Sequence, residues 1–376
     1  MDEKKWENLP DHIIVGILSF LGLSDRLTAS LACKQWRECF GSPVLWHTFH
    51  FKFVDSKEFK YAQCLENHGH YLRTVEIHCN QEDKINRESA CTLILMLSGI
   101  KERRLERFTV KFLGENPLFY AGQEFIECLR VLFDKPNEDV EVLSTLKLVD
   151  LSKLPIAYGD NLINCLVENN RDLESLNIQN AALVCKVTSG CIENVLDMCR
   201  KMKSLALHHT SVTEEILLSL AEENRTPLNH LSIDCRREEK FGKDITSETW
   251  EVVRRKIPNL RVTLAFDTSC PMYKVDMILK PEVPVKNLRL EVMSQVIDQV
   301  YFAAMNYSET LEMLSISTTS SEELEKALLY LVTRCDRLRE LFVFQCYISH
   351  DTKQKILELR PQLQKCYIKT KQLPTN

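Results

Sequence analysis

The sequence is poor in residues on which several common functions depend. It contains only 10 glycines and 12 prolines among 376 residues, so glycine-rich phosphate-binding loops and long flexible linkers are not expected. No apolar run approaches the ~18 residues that a membrane span needs, and neither terminus resembles a secretion, prenylation or retention signal. A net charge of -5 argues against binding to nucleic acid or to an anionic membrane. The expected compartment is the cytoplasm, with the nucleus as an open alternative.

Paired cysteine motifs are also lacking. The 15 cysteines show no C-x-x-C spacing and are expected to be buried, reduced thiols. Five potential metal ligands lie close together, but their spacing matches no zinc-binding pattern. These are Cys64, His68, His70, His78 and Cys79. No local signature marks a catalytic cysteine. The sequence therefore predicts no catalytic residue, no cofactor and no metal, and a cysteine hydrolase stays a distant alternative.

The N-terminal part of the sequence contains a segment that is rich in apolar residues. Asp11 is expected to be the N-cap of a helix that ends at Gly22. Spacings of three and four residues place one apolar face on this helix, at Ile13, Ile14, Ile17, Leu18 and Leu21. A second helix is expected after Ser24 and Asp25, and a third over residues 34–40. Helices this short cannot bury a core of their own, so their surplus apolar surface predicts a partner.

This segment resembles the F-box. Its opening residues 9–11, the run 30–36 and the closing Trp46 match the F-box signature. The resemblance implies docking onto the Skp adaptor of a cullin-based ubiquitin ligase and, through that adaptor, association with cullin and RING subunits. The residues expected to contact the adaptor are Leu9, Pro10, Ile13, Ile14, Ile17, Leu18, Leu21, Leu27 and Leu31. Trp36 and Trp46 are expected to pack against the repeats that follow. The alternative is a helical cap that only covers the first repeat.

From residue 72 onward the chain repeats one pattern, in which apolar residues are separated by two residues and then by one. The ten clear copies are Leu72-Val75-Ile77, Leu105-Phe108-Val110, Leu143-Leu146-Leu148, Leu173-Leu176-Ile178, Met202-Leu205-Leu207, Leu228-Leu231-Ile233, Val285-Leu288-Leu290, Leu311-Leu314-Ile316, Leu338-Leu341-Val343 and Leu363-Cys366-Ile368. An eleventh copy begins at Leu260, but Val262 and Leu264 are displaced within it, which leaves its register open. Toward the C-terminus the spacing tightens to the ~20–29 residues of leucine-rich repeats.

Helix signals lie between these copies. Thr213 and Ser321 precede amphipathic runs as expected N-caps, and residues 121–133, 160–168 and 246–257 have the same character. The sequence therefore predicts an α/β fold, with a three-helix F-box followed by a leucine-rich-repeat solenoid. In this horseshoe short parallel strands lie inside and helices outside. The alternative is a doubly wound α/β sheet, although its glycine-rich turns are missing. The expected boundaries are 5–50 for the F-box, 51–369 for the solenoid and 370–376 for a short tail.

F-box and repeats together are similar to the family of F-box and leucine-rich-repeat proteins. Three further stretches, 115–125, 281–285 and 302–311, resemble a short vertebrate member of that family. The resemblance implies a non-catalytic substrate-recognition subunit of a Skp–cullin–F-box ubiquitin ligase. Such a subunit presents a protein substrate on its repeats for ubiquitination and proteasomal degradation. The alternative is a non-degradative protein-interaction scaffold that is anchored to the adaptor.

The period-two alternation of strands also predicts which side chains lie on the inner, helix-free face. They are Ser175, Asn177, His208, His230, Ser232, Asp234, Asn287, Arg289, Glu291, Glu340, Phe342, Phe344, Lys365, Tyr367 and Lys369. Exposed aromatic residues beside lysine are unusual on a solvated strand, so Phe342, Phe344, Lys365 and Tyr367 are predicted to form part of the substrate site. The alternatives are a C-terminal tail that covers them or a different register. The charged segment 236–240 is expected to be a solvated loop, with partner contact as the alternative.

Overall fold

The structure is a computed structural model that describes residues 9–54, 58–100, 102–116, 122–134, 145–182, 184–237, 244–292 and 294–370. The chain divides into two compact units. Unit 1 runs from the N-terminus to Ile156 and adds Glu168–Asp172 and Asn180–Ala182, and unit 2 contains the rest.

Unit 1 opens with the three predicted short helices. Its helices are α1 (Asp11–Ser19), α2 (Leu23–Ser30), α3 (Lys34–Phe40), α4 (Cys64–His68), α5 (Lys84–Ser98) and α6 (Gln123–Phe133). Short 3-10 helices follow α3 at Pro43–Trp46 and flank α4 at Glu58–Gln63 and Gly69–Tyr71.

The predicted N-caps of the first two helices are wrong by one or two positions. Pro10 occupies the N-cap of α1, and Asp11 is already the first helical residue. Gly22 caps α2, which begins at Leu23, ahead of Ser24. Neither cap accepts a side-chain hydrogen bond. The carboxylate of Asp11 still lies in the first turn, where it complements the positive end of the helix dipole.

The strands of unit 1 are β1 (Thr48–Phe53), β2 (Thr74–Cys79), β3 (Arg107–Phe112) and β4 (Leu148–Asp150). They pair in chain order, and every pair is parallel. Alternate side chains are buried, such as Phe51 and Phe53 of β1, and α5 packs against β1 and β2. β1 was not predicted as a repeat strand, and it begins inside the range assigned to the F-box.

The repeat predicted at Leu143-Leu146-Leu148 is out of register. Val149 of β4 pairs with Phe108 of β3, which makes Leu146, Val149 and Leu151 the equivalent buried set. Leu143 lies outside the described residues. The predicted and the observed triplets overlap at Leu146, and both have the spacing of the repeat pattern. Only the pairing with β3 decides between them.

Unit 2 repeats one strand and one helix. Its strands are β5 (Ser175–Asn177), β6 (Ser204–His208), β7 (His230–Cys235), β8 (Arg261–Phe266), β9 (Val285–Leu290), β10 (Met313–Ser317), β11 (Glu340–Ile348) and β12 (Lys365–Thr370). Its helices are α7 (Asp160–Asn169), α8 (Ser189–Met198), α9 (Glu214–Leu220), α10 (Ser247–Lys256), α11 (Met272–Ile278), α12 (Ile297–Asn306), α13 (Glu322–Arg334) and α14 (His350–Leu359). The predicted caps Thr213 and Ser321 accept hydrogen bonds from the N–H groups of Ile216 and Leu324.

The displaced copy at Leu260 marks a real change of register. Val262 of β8 pairs with Leu231 of β7. On the other side of β8 the pairing shifts by one residue after Val262, so that Leu264 pairs with Leu288. All these side chains remain buried, because the shift changes which residues pair while the same side chains still face the core.

The predicted α/β fold is confirmed. Within each unit the described strands pair in chain order, whereas a doubly wound sheet reverses its strand order at a switch point. Each repeat buries its apolar triplet beside the next, as a leucine-rich-repeat solenoid requires. The segment 371–376, which was assigned to the tail, lies outside the described residues.

Candidate functional site

The F-box helix α1 carries two rows of apolar side chains. Ile14 and Leu18 are fully buried and pack with Cys39, Leu45 and Trp46 into a small core. One turn of helix separates these two residues, so they share a face. Both were predicted to contact the adaptor, but in this conformation they support the surface of α1 from within.

The second row of α1 faces outward. Ile13 and Phe20 are exposed, and Ile17 between them is half-buried. The three lie at i, i+4 and i+7, which aligns them along one side of the helix. Phe20 is 91% exposed and was not predicted as a contact, although its spacing from Ile13 could have identified it. An apolar side chain this exposed contributes almost nothing to folding.

Further exposed apolar residues lie in α2 and the turns of the F-box. Leu31 is 66% exposed, and Leu27, one turn earlier, is also exposed. Pro10 is exposed at the start of α1, whereas Leu9 is half-buried against the F-box core. Val44, in the 3-10 helix after α3, is a further exposed residue that the sequence analysis missed. Exposed apolar surface of this kind is typical of a protein-binding site.

Arg26 holds this surface in shape. Its guanidinium donates hydrogen bonds to three carbonyl oxygens, those of Leu18 at 3.1 Å, Leu21 at 3.2 Å and Leu45 at 2.7 Å. Two of these carbonyls lie at the C-terminal end of α1, where helix carbonyls lack intrahelical partners. Burial lowers the pKa of Arg26.

Trp46 joins the F-box to the first repeat, as predicted. Its ring stacks on His68 at a centroid distance of 4.0 Å and meets Phe40 edge-on at 5.1 Å. The indole N–H donates to the Phe40 carbonyl at 2.8 Å. Burial, with a smaller effect of the nearby His70, lowers the pKa of His68. Trp36 packs against the F-box core instead.

The predicted aromatic site forms one cluster at the C-terminal end of unit 2. The rings of Phe342 and Phe344 are parallel, with centroids 6.2 Å apart, and Phe344 lies 5.1 Å from Tyr367. Phe344 and Tyr367 are exposed, and Phe342 is half-buried. The cluster lies on the inner face, because Val343 between the two phenylalanines is buried on the opposite side. Phe344 and Tyr367 are 38% and 42% exposed, so described residues cover them only in part.

Charged side chains flank this cluster. The Nζ of Lys365 lies 2.7 Å from Glu340 Oε1 on the neighbouring strand. Lys369 is exposed and makes no hydrogen bond or ion pair with the described residues. The cluster is thus an apolar, aromatic surface, and of the two lysines beside it Lys365 is paired with Glu340.

A polar network occupies the inner face further toward β6. Asp234 lies between His208 and Arg236, at 3.4 Å and 2.8 Å. Burial opposes ionisation of Asp234, but His208 and Arg236 outweigh it and hold its pKa below the ordinary value. Thr263 Oγ1 bonds to both His230 at 2.9 Å and Asn287 at 3.0 Å. The predicted loop begins at Arg236, and its residues 238–240 lie outside the described part of the chain.

The residues that were set aside as zinc ligands do not converge. Cys79 is buried in the core, and burial raises the pKa of its thiol to about 12. His78 is bonded to Glu76 on the opposite face of β2. Across the described residues no group of three or more potential ligands could hold a metal ion. None of the described helices is both long and apolar enough to cross a membrane.

This chain is similar to several known proteins. Residues 6–52 match the family model described as F-box-like. Human F-box/LRR-repeat protein 8 is 29% identical over 98% of this chain and 96% of its own length. Mouse F-box/LRR-repeat protein 21 is 26% identical over 92% of this chain and 78% of its own. A structural similarity was also found to a chain of the crystal structure of the yeast Rad7 and Elc1 complex, with 12% identity and a TM-score of 0.39. The superposition includes 95% of this chain and 88% of the yeast-complex chain.

The fold and its surfaces define a repeat protein with an N-terminal F-box. The resemblance to F-box and leucine-rich-repeat proteins, which the sequence motifs predicted, is confirmed over nearly the whole chain. Over that length the chain is similar to F-box/LRR-repeat protein 8 of human, cattle and mouse.

Proposed function

We propose that this chain is the substrate-recognition subunit of a Skp–cullin–F-box ubiquitin ligase. The F-box binds the Skp adaptor, which connects the chain to cullin and RING subunits, and the repeats hold a protein substrate. Ubiquitination and proteasomal degradation of the substrate follow. The chain contributes by proximity, because a substrate held beside the conjugating enzyme reacts at a high effective concentration. The single observation that carries this function is the exposed apolar surface of a segment that matches the F-box.

The adaptor contacts are the residues of this surface that a partner can reach. They comprise Leu9, Pro10, Ile13, Ile17, Phe20, Leu21, Leu27, Leu31 and Val44. Burying one large apolar side chain contributes about 1.5–3 kcal/mol, so a few of them supply most of a stable interface. Ile14 and Leu18 act indirectly, because they pack beneath the exposed row.

The adaptor interface is tested by Phe20→Ala with Leu31→Ala. Both side chains are exposed, so the variant should fold normally and bind the adaptor at least tenfold more weakly, on the order of what two lost apolar contacts cost. Leu218→Ala with Tyr273→Ala is the matched control, since these exposed residues lie on helices of unit 2. Adaptor affinity is measured with purified proteins. Equal affinity of the F-box variant and the control would remove the adaptor from the proposed function.

Leu9→Ala with Pro10→Ala should also abolish co-purification with the adaptor. This pair is less clean, because Leu9 packs against the F-box core and its carbonyl accepts a hydrogen bond from Gln35 at 2.8 Å. Adaptor binding by a folded Leu9/Pro10 variant would contradict the assignment of these residues.

For the substrate we propose the aromatic cluster of Phe342, Phe344 and Tyr367, with Lys365 at its rim. Aromatic side chains bury large areas at little entropic cost and are enriched among binding hot spots. Phe342→Ala with Phe344→Ala should lose the proteins that the wild-type chain captures. Tyr301→Ala with Tyr330→Ala is the matched control, because those rings also pair, at 5.5 Å, but on outer helices. Unchanged capture by the phenylalanine variant would place the substrate elsewhere.

Degradation is tested separately from binding. The full-length Phe20/Leu31 variant should keep its substrates bound while they escape ubiquitination, so proximity labelling on that variant should enrich them. Their half-lives in cells should be longer with this variant than with the wild type. Partners that are captured by both proteins and turn over at the same rate would favour the non-degradative scaffold.

A further inference from the structure

The open face of the sheet in unit 1 carries basic side chains side by side. Lys52 of β1 pairs in register with His78 of β2, which pairs with Lys111 of β3. Phe51 and Phe53 are buried on the other face, so Lys52 lies on the face without helices, and the same alternation holds for β2 and β3. Neighbouring strands lie about 4.8 Å apart, which puts the two lysines about 10 Å apart along one row.

The carboxylates of this face are already engaged. Glu76 Oε2 lies 2.8 Å from His50 Nδ1, and its Oε1 lies 2.5 Å from His78 Nε2. The hydrogen bond with His78 is the main reason why the pKa of Glu76 lies below its ordinary value. Asp150 of β4 accepts a hydrogen bond from the N–H of Ser152 at 2.9 Å. Neither carboxylate pairs with a lysine.

The side chains of Lys52 and Lys111 make no hydrogen bond or ion pair with any described residue, and the same holds for the side chain of Arg107 on the same face. Cations at the strands of unit 2 are commonly paired. Examples are Lys203 with Glu174 at 2.7 Å, Arg236 with Asp234 at 2.8 Å and Lys365 with Glu340 at 2.7 Å. The row therefore carries positive charge that no described carboxylate neutralises. A carboxylate of a partner molecule can neutralise it.

We propose that Lys52 and Lys111 form a docking surface for an acidic segment of a partner protein, at a site separate from the adaptor contacts and from the aromatic cluster. An extended polyproline-II segment presents every third side chain on the same side, about 9 Å apart. Glutamates at that spacing match the separation of the two lysines. A continuous phosphate backbone fits less well than separated glutamates, because its additional charges would face Glu76 and Asp150 on the same face.

The test measures the binding of a fluorescein-labelled Glu-Ser-Ser repeat peptide to the full chain by fluorescence anisotropy. Lys52→Glu with Lys111→Glu should weaken binding by about tenfold or more, because two attractive contacts become repulsive. The matched control is Lys326→Glu with Lys355→Glu, at exposed positions of α13 and α14. It changes the net charge equally and should bind like the wild type. Equal weakening in both variants would mean that only net charge matters and would overturn the docking surface.

Two further measurements keep this test independent of folding and of the F-box. Lys52→Gln with Lys111→Gln removes the charges without adding repulsion and should also weaken binding, with unchanged circular dichroism. Both lysine variants should retain adaptor binding, so failure here is distinguishable from failure of the proposed function. A wild-type chain that ignores the acidic peptide, binds a Gln-Ser-Ser peptide equally well, or prefers a single-stranded oligonucleotide would refute the acidic-protein partner.

Discussion

Replacement of Arg26 should loosen the F-box selectively. Its guanidinium is the donor to carbonyls of α1, of the turn after α1 and of the 3-10 helix near Trp46. Arg26→Ala deletes all three bonds at once, and no other described side chain bonds to these carbonyls. The perturbation is therefore large for a residue that is only half-buried.

The magnitude follows from the bonds and from their exposure. A hydrogen bond to a charged group contributes about 1.5–3 kcal/mol in mutational series, so three such bonds could reach about 5–9 kcal/mol. Water can replace much of this at a half-exposed site, which lowers the expected loss to about 2–4 kcal/mol. Arg26→Lys should recover less than half of it, since one ammonium group cannot span three carbonyls in the geometry of a planar guanidinium.

Amide hydrogen exchange on the full chain measures this loss locally. A destabilisation of about 2–4 kcal/mol corresponds to a fall in protection of about 30- to 1000-fold across α1 and α2. Protection in β6 and β7, which belong to unit 2, should not change. Arg37→Ala is the control, because the exposed side chain of Arg37 in α3 makes no hydrogen bond or ion pair with the described residues. If Arg26→Ala leaves α1 as protected as Arg37→Ala does, the three carbonyl bonds do not hold the F-box together.

Three substitutions probe buried polar groups elsewhere. Tyr307→Phe removes the bond from the hydroxyl to the Lys280 carbonyl at 2.9 Å and should cost about 1–2 kcal/mol in urea denaturation. Burial also raises the pKa of Tyr307, so the wild type should lose stability above about pH 10 more steeply than the variant. The pKa of Asp234 is depressed, so its contribution should disappear below about pH 4 and be absent from Asp234→Asn. Asn180→Ala removes the bonds that its side-chain amide donates to the Leu154 and Ile156 carbonyls and should lower the unfolding free energy by about 1–3 kcal/mol. Coincident urea curves for wild type and Tyr307→Phe or Asn180→Ala would contradict the first and third predictions. A stability that changes with pH in Tyr307→Phe or Asp234→Asn as it does in the wild type would contradict the two pH predictions.

The repeat class could be predicted from the sequence, but not every register. Triplets such as Leu173-Leu176-Ile178 are buried as expected, because their spacing has only one acceptable frame. Around β4 two triplets fit the apolar pattern equally well, namely Leu143-Leu146-Leu148 and Leu146-Val149-Leu151. At β8 the triplet is compressed, and the neighbouring strand absorbs the mismatch through a register shift. Both outcomes depend on pairing between strands distant in sequence, which a local pattern does not contain.

The candidate sites could likewise be predicted from the sequence only in part. Period-two alternation correctly put Phe342, Phe344 and Tyr367 on one face, because a strand has only two faces. The helix pattern of α1 predicted a wide apolar surface, but not which part of it turns inward. That choice depends on Trp46 and on the repeat behind it, neither of which is encoded within α1. Two of the residues predicted to contact the adaptor are therefore buried, and the exposed Phe20 was not among the predicted residues.

The proposed function assigns folding and adaptor binding to different residues of the same F-box segment. Arg26 and Leu18 hold α1 in place and offer no apolar surface to a partner, whereas Phe20 and Leu31 are exposed and contribute little to folding. Loss of adaptor binding in Phe20→Ala with Leu31→Ala should therefore leave amide protection intact. Arg26→Ala should weaken adaptor binding only as far as it unfolds α1, because binding and folding are then linked by one equilibrium. Excess adaptor should accordingly restore protection to the Arg26 variant, and it should not restore binding to the Phe20/Leu31 variant at concentrations that saturate the wild type.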